Sequence, residues 1–306
     1  MATIRKKERM TRWIFVSDLQ LGLTPDYHEE RRHRLIERVA AERPHFVIHG
    51  GDHVAGKVND TPEERRNVEL MWAAYHRVMA PLKELCPVIS TIGNHDQTGS
   101  TLSSEEYLRQ VDRQGKATYH AKTIRGVHVA ILDVLVGKHR GGFADPLQAR
   151  WLRRDLRAAR RAGCTVVVGH YPIIVAPWLL KHSRGAGQKP GASGLLLPML
   201  LDGGVDLYLC GHLHAYERAQ YKTMTQVMTS ASDIFLPDMR EKPGEFTKAF
   251  DERQTYIRFA LEDSTICGEA VSAEGDVVDQ WTQKLNPKAE RLLPGSGRAR
   301  YVRRLT

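Results

Sequence analysis

The stretch WIFVSDLQ, residues 13–20, runs four large apolar residues into a carboxylate and, two positions later, an amide. Consecutive large apolar residues predict a strand covered on both faces, so Asp18 and Gln20 at its end must face something other than core. The same texture recurs along the chain. Phe46 to His49 runs into Gly50-Gly51-Asp52, and Val88 to Ile92 into Gly93-Asn94-His95-Asp96. Thr165 to Val168 runs into Gly169-His170, and Val205 to Leu209 into Gly211-His212-Leu213-His214.

Amphipathic stretches separate these strands and predict helices near residues 29–42, 62–82, 104–111, 146–162 and 195–201. A hairpin is predicted from His120 to Ile124 and Val127 to Val134, turned at Arg125-Gly126. Past Leu209 the texture becomes strands and turns: Tyr221 to Met228, Thr255 to Leu261, Thr265 to Ser272 and Val277 to Trp281. Alternating strands and helices followed by a run of strands predict an α/β fold of two packed mixed β-sheets flanked by helices. One domain over residues 1–285 accounts for the whole pattern, and 286–306 reads as a basic, peripheral C-terminal tail.

Where strands run mostly parallel, their carboxyl ends share one edge, the usual ligand-binding edge of an open α/β sheet. Two Asp, one Asn, three His and one Gln would converge there. Oxygen and imidazole donors without thiolates suit Mn²⁺, Zn²⁺ or Fe²⁺. On an extended segment, alternate residues point the same way, so His212 and His214 would reach one site together. Glycines before Asp52, Asn94, His170 and His212 would let the chain turn tightly off each strand.

Bulk properties narrow the setting. The four cysteines, Cys86, Cys164, Cys210 and Cys267, lie far apart with no C-x-x-C spacing, so they read as reduced thiols of a cytoplasmic protein. The basic start, Met1 to Arg12, precedes only four apolar residues, too few for an export signal, and no segment has the length of a membrane span. A cytoplasmic location is the expectation, or a host cytoplasm for a viral protein. With 45 Lys and Arg against 36 Asp and Glu the chain carries a formal charge of +9, which suits phosphate-bearing substrates and keeps nucleic acid in view as a partner. No aromatic-basic interleaving supports nucleic acid, and arginines such as those around residues 150–157 sit opposite an apolar helical stripe, as on a solvated face.

With these motifs in order, the chain resembles the calcineurin-like metallophosphoesterase superfamily, whose pattern D-x-H, G-D, G-N-H-[DE], G-H, G-H-x-H is matched except that Gln20 replaces the first histidine. The resemblance spans about residues 12–283, and GHLHAYER at 211–218 is closest to the purple acid phosphatase branch. It implies a four-layer αββα sandwich holding two divalent or trivalent ions, Mn, Fe or Zn, bridged by Asp52. Asp18, His214 and Gln20 would serve one ion; Asn94, His170 and His212 the other. A hydroxide held between them would attack phosphorus in line with the leaving group, His95 would protonate the leaving oxygen, and Asp96 would steady the His95 imidazole.

Two departures matter. Ala55 stands where the purple enzymes have a tyrosine ligand, so their colour is not expected, and an amide at position 20 is a weaker donor than imidazole, so the Asp18 site should be the looser one. The expected activity is a metal-dependent phosphoesterase acting on a phosphomonoester, a nucleotide or a cyclic phosphodiester. The alternatives are a nuclease of the same superfamily, encouraged by the net charge, and a phosphate- or partner-binding protein whose catalysis decayed with the loss of histidine at position 20. The Gly-, Pro- and Lys-rich segment 172–194 reads as a surface loop or a lid, with His182, Arg184 and Lys189 as groups that could meet phosphate. Oligomeric state has no signature in the sequence.

Overall fold

A computed structural model describes residues 10–23, 29–56, 61–97, 103–135, 143, 145–159, 162–174, 190–232 and 244–287. Among the described residues thirteen strands form two sheets. In the first, β1 (Thr11–Val16) lies parallel to β2 (Phe46–His49), which lies parallel to β3 (Val88–Ser90). On its other side β1 pairs antiparallel with β11 (Thr255–Glu262), and β12 (Thr265–Ser272) and β13 (Val277–Lys284) complete six strands. In the second sheet β5 (Val127–Ile131), β6 (Cys164–Val168), β7 (Leu207–Cys210) and β9 (Met224–Met228) are parallel. There β4 (His120–Ile124) flanks β5, while β8 (Tyr216–Tyr221) and β10 (Thr247–Asp251) extend the other side, all three antiparallel to their neighbours.

The alternation of side chains along β1 explains the layering. Trp13 and Phe15 pack with Phe46 and Ile48 against Val129, Ile131, Val166, Val168 and Leu209 of the other sheet, forming the core between sheets. Ile14 and Val16 point the opposite way, into the layer that holds Leu35, Ile36 and Val39 of α1 (Glu29–Ala41) and Trp72, Tyr75 and Leu82 of α2 (Pro62–Leu85). On the far side of the second sheet, Leu152 and Leu156 of α4 (Pro146–Ala158) and Leu196 and Leu200 of α5 (Pro190–Asp202) join the same kind of layer. Short α3 (Glu105–Gln110) follows β3. The result is helix, sheet, sheet, helix.

Local signals set the helix starts. Thr61 accepts from the Glu64 backbone N–H and Asp145 from that of Leu147, each followed by a proline whose missing N–H costs nothing at the first turn. Each of these helices returns the chain antiparallel to its strand, so every parallel strand delivers its carboxyl end to the same edge.

Several predicted bounds move. Tyr221 to Met228, read as one strand, is the β8–β9 hairpin, turned at Lys222, whose φ of 53° is the left-handed value such a turn requires. β10 was not foreseen, because Thr247-Lys248-Ala249-Phe250-Asp251 is mostly polar and only edges the sheet. The helix predicted over 146–162 ends at Ala158, and α5 begins at Pro190 rather than Leu195. Of the predicted loop or lid 172–194, residues 190–194 belong to α5, while 175–189, with His182, Arg184 and Lys189, and the predicted tail from 288 on lie outside the described residues. Among the described residues no disulfide joins the cysteines, and no helix is long and apolar enough to cross a membrane.

Candidate metal centre

The carboxyl ends of β1, β2, β3, β6 and β7 meet at one edge, where hydrogen bonds tie neighbouring loops within each sheet and, through Ala231 and Ser17, across the two sheets. Asp18 N–H donates to Gly51 O at 3.0 Å, Gly211 N–H to His170 O at 2.9 Å, and Ala231 N–H to Ser17 O at 2.8 Å. The His170 ring crosses between sheets, its Nδ1 2.8 Å from the Gly50 carbonyl. A carbonyl only accepts, so Nδ1 carries a proton, and when the ring is neutral its Nε2 lone pair faces inward.

Ligand atoms of Asp52, His170 and His212 lie within 4.8 Å of one another, and so do those of Asp18, Asp52 and His214. Asp52 belongs to both groups. His170 Nε2 stands 3.3 Å from Asp52 Oδ2 and 3.1 Å from Asn94 Oδ1, while His214 Nε2 is 3.7 Å from Asp18 Oδ1. An imidazole lone pair, a carboxylate and an amide oxygen pointing at one spot repel each other unless a positive charge sits among them. The donor set therefore fits a divalent or trivalent cation at each group.

The electrostatics of the bare side chains say the same. Burial, reinforced by Asp52 and opposed by His170, pushes the Asp18 carboxyl up to about 7. Burial works against Asp52 too, but His170 and His95 overcome it and hold its carboxyl well below the usual carboxylate range. Burial lowers His170, yet Asp52 beside it pushes the imidazole up to about 9. Burial, with His170 nearby, holds His212 well below its ordinary value, which keeps a neutral nitrogen ready for a metal. Two buried carboxylates with too little positive charge around them are what a bound cation would relieve.

The backbone pays for this convergence. Asp18, Gln20, Asp52, His212 and His214 have φ values of 55°, 43°, 54°, 76° and 52°, in the left-handed region that non-glycine residues avoid. His212-Leu213-His214 is thus a bent turn rather than the extended segment predicted; both rings still reach the cluster because the two flanking residues share the unusual φ. Of the glycines, Gly51 itself takes a φ of 96°, whereas at Gly93 the reason is space, since a Cβ there would lie 2.1 Å from Asp52 N.

His95 sits at the rim with its Nε2 4.0 Å from Asp52 Oδ2 and its side chain 20% exposed. Its Nδ1 donates to Ala55 O at 2.6 Å. That corrects the role expected of Asp96, which does not steady this ring. Fully buried, Asp96 accepts from the backbone N–H groups of Asp52 (3.0 Å), His53 (2.8 Å) and Gly93 (2.8 Å), and from His53 Nδ1 (2.8 Å). It ties the β2 loop to the β3 loop, and so fixes where Asp52 stands.

Gln20 also departs from expectation. Its amide nitrogen lies 3.3 Å from Asp52 Oδ2, and its amide oxygen, the only atom able to ligate, accepts from Ser232 Oγ at 3.0 Å. With that oxygen bonded to Ser232 and the NH₂ turned to Asp52, Gln20 is not placed as a ligand. Ser232, His53 and the Ala55 carbonyl escaped the sequence reading; only His53, adjacent to Asp52, had any signal to offer. Tyr171, which follows His170 directly, packs its ring edge-on to His212 with centroids 4.3 Å apart.

A family model of the calcineurin-like phosphoesterases matches residues 11–216. Purple acid phosphatase 23 of Arabidopsis thaliana is 28% identical over 162 residues, 50% of this chain and 34% of its own, and purple acid phosphatase 18 of the same plant is 26% identical over 162 residues, 49% of this chain and 35% of its own. The match thus spans about a third of the length of these curated relatives. Among solved structures, purple acid phosphatase PPD1 from yellow lupin seeds superposes with a TM-score of 0.70 at 13% identity, covering 90% of this chain and 54% of that one.

Proposed function

The chain belongs to the calcineurin-like phosphoesterase family, and from that premise we propose that it is a two-metal phosphoesterase hydrolysing a small phosphomonoester or phosphodiester. The observation that carries this reading is the pair of ligand groups sharing Asp52. Asp18, Asp52 and His214 would hold one ion, and Asp52, Asn94, His170 and His212 the other. Cations so held supply positive charge to the phosphoryl oxygens and lower the pKa of a water at neutral pH.

The side chains do the rest. Asp52, its carboxylate fixed by the His95 N–H on Oδ1 at 2.8 Å, spans both groups. His95 keeps the Nδ1 proton on Ala55 O, which leaves Nε2 facing the rim to carry a second proton to the leaving oxygen. Asp96 and His53 act from behind, by holding the Asp52 loop. Among the described residues no serine or cysteine nucleophile is evident at the cluster, so water would be the attacking group.

The test is hydrolysis of 4-nitrophenyl phosphate, bis(4-nitrophenyl) phosphate and single-stranded DNA by the full chain, stripped with chelator and then supplied with Mn²⁺. Hydrolysis of a small ester that vanishes on stripping and returns with Mn²⁺ supports the reading. Cleavage of DNA alone would favour a nuclease. Bound metal with no hydrolysis of any ester would favour a binding protein.

A further inference from the structure

Resting on the metal-dependent reading above, we propose that Gln20 is a positioning residue for the bridging carboxylate and not a ligand, so that the two ions are held unequally. The geometry that assigns this lies in two places. First, the backbone of Gln20 is tied to the Asp52 loop: Gln20 N–H donates to Asp52 O at 2.9 Å and Leu21 N–H to His53 O at 3.1 Å. Ala55 N–H returns to Leu21 O at 2.9 Å, closing a small ladder that fixes the Gln20 Cα beside Asp52. Second, the amide is oriented from its far side. Ser232 Oγ donates to Gln20 Oε1 at 3.0 Å, and the Ser232 backbone is itself held by Ser230 Oγ at 3.0 Å.

Chemistry fixes which end of the amide faces Asp52. A carboxylate only accepts, so the group 3.3 Å from Asp52 Oδ2 is the NH₂, whose nitrogen lone pair is delocalised and ligates poorly. Gln20, Ser232 and Asp52 are all at least 95% buried, so water does not compete for these bonds. The Asp52 carboxylate then has an N–H on each oxygen, His95 N–H on Oδ1 and Gln20 NH₂ on Oδ2, which sets its rotation between the two ligand groups. Asp18, Asp52 and His214 are left as three protein donors, against four on the His170 side.

The experiment is stepwise Mn²⁺ binding to chelator-stripped full-length protein, followed by calorimetry, with bound metal counted by mass spectrometry and the spectrum of the manganese pair read by electron paramagnetic resonance. Wild type is expected to bind in two steps, the second weaker by about tenfold or more, since losing even an outer partner of a ligand costs a metal site about 10- to 100-fold. Gln20→Ala should weaken both steps by a similar factor, about tenfold, and alter the exchange-coupled signal, because Asp52, which serves both ligand groups, loses an anchor. Gln20→His, which restores an imidazole, should tighten the second step by about tenfold or more. A tenfold or greater loss in Gln20→Ala confined to the second step, with the first unchanged, would make Gln20 a ligand and overturn the proposal; so would equal affinities in wild type or an unchanged coupled signal in Gln20→Ala. Failure of wild type to bind any Mn²⁺ would instead strike the metal-dependent reading itself, and this inference with it.

Discussion

Replacing His95 by asparagine removes the ring nitrogen 4.0 Å from Asp52 while leaving every proposed ligand in place. Metal uptake should stay at the wild-type level, and turnover should fall by about 10²- to 10⁴-fold for esters with poor leaving groups but far less for 4-nitrophenyl esters, as for a lost general acid. Equal slowing of both would remove that role from His95. Asp96→Asn should behave differently, although the two residues are adjacent. An asparagine NH₂ would face backbone donors that the carboxylate now accepts, so the fold should lose about 2–4 kcal/mol and metal content should drop with it. Unchanged melting and metal content would contradict the anchoring role. At this scale much was legible, since Asp18, Asp52, His170, His212 and His214 each follow an apolar run, and strand ends are where an α/β sheet gathers its ligands. The direction of the Gln20 amide was not legible, because the serine that sets it is 212 positions away. Nor does sequence reveal left-handed φ at residues such as His214, which have a Cβ and ordinarily avoid it.

Among the elements, the β3 loop approaches the β2 loop with no room for a side chain. Gly93→Ala would put a methyl group 2.1 Å from Asp52 N, and the loop would have to move. A loss of about 1–3 kcal/mol in stability, typical of overpacking, is expected together with weaker metal uptake; a variant with wild-type melting and metal content would argue that the loops are not fixed by this contact. On β4, burial and the nearby Arg113 push His120 down to about 4. The unfolded chain therefore binds a proton between about pH 6.5 and 4 that the folded chain refuses, and stability falls as pH drops through that window. His120→Gln should flatten this part of the wild-type pH–stability curve by on the order of 2 kcal/mol, measured by denaturant melts at pH 7 and 4.5; parallel curves would contradict it. The strands that build the inter-sheet core were legible from their unbroken apolar runs. β10 and the division between β8 and β9 were not, because edge and hairpin strands are defined by partners and turns more than by their own hydrophobicity.

For the molecule as a whole, the formal charge of +9 invites a search for a polyanion. Arg150, Arg153, Arg154 and Arg157 are exposed on α4, opposite the buried Leu152 and Leu156. Reversing Arg153 and Arg154 to glutamate should leave turnover of a small aryl phosphate within about twofold, because exposed charges are screened over a Debye length of roughly 8 Å. A large loss would tie the basic surface to catalysis and favour an extended anionic substrate. The central claim, however, is that groups far apart in the chain gather two cations about Asp52. The most direct measurement is anomalous diffraction from crystals of the full chain grown with Mn²⁺. Two peaks are expected, one contacted by Asp18 and His214, the other by Asn94, His170 and His212, with Asp52 touching both. No peak at this edge, or a peak whose ligands exclude Asp52, would contradict it.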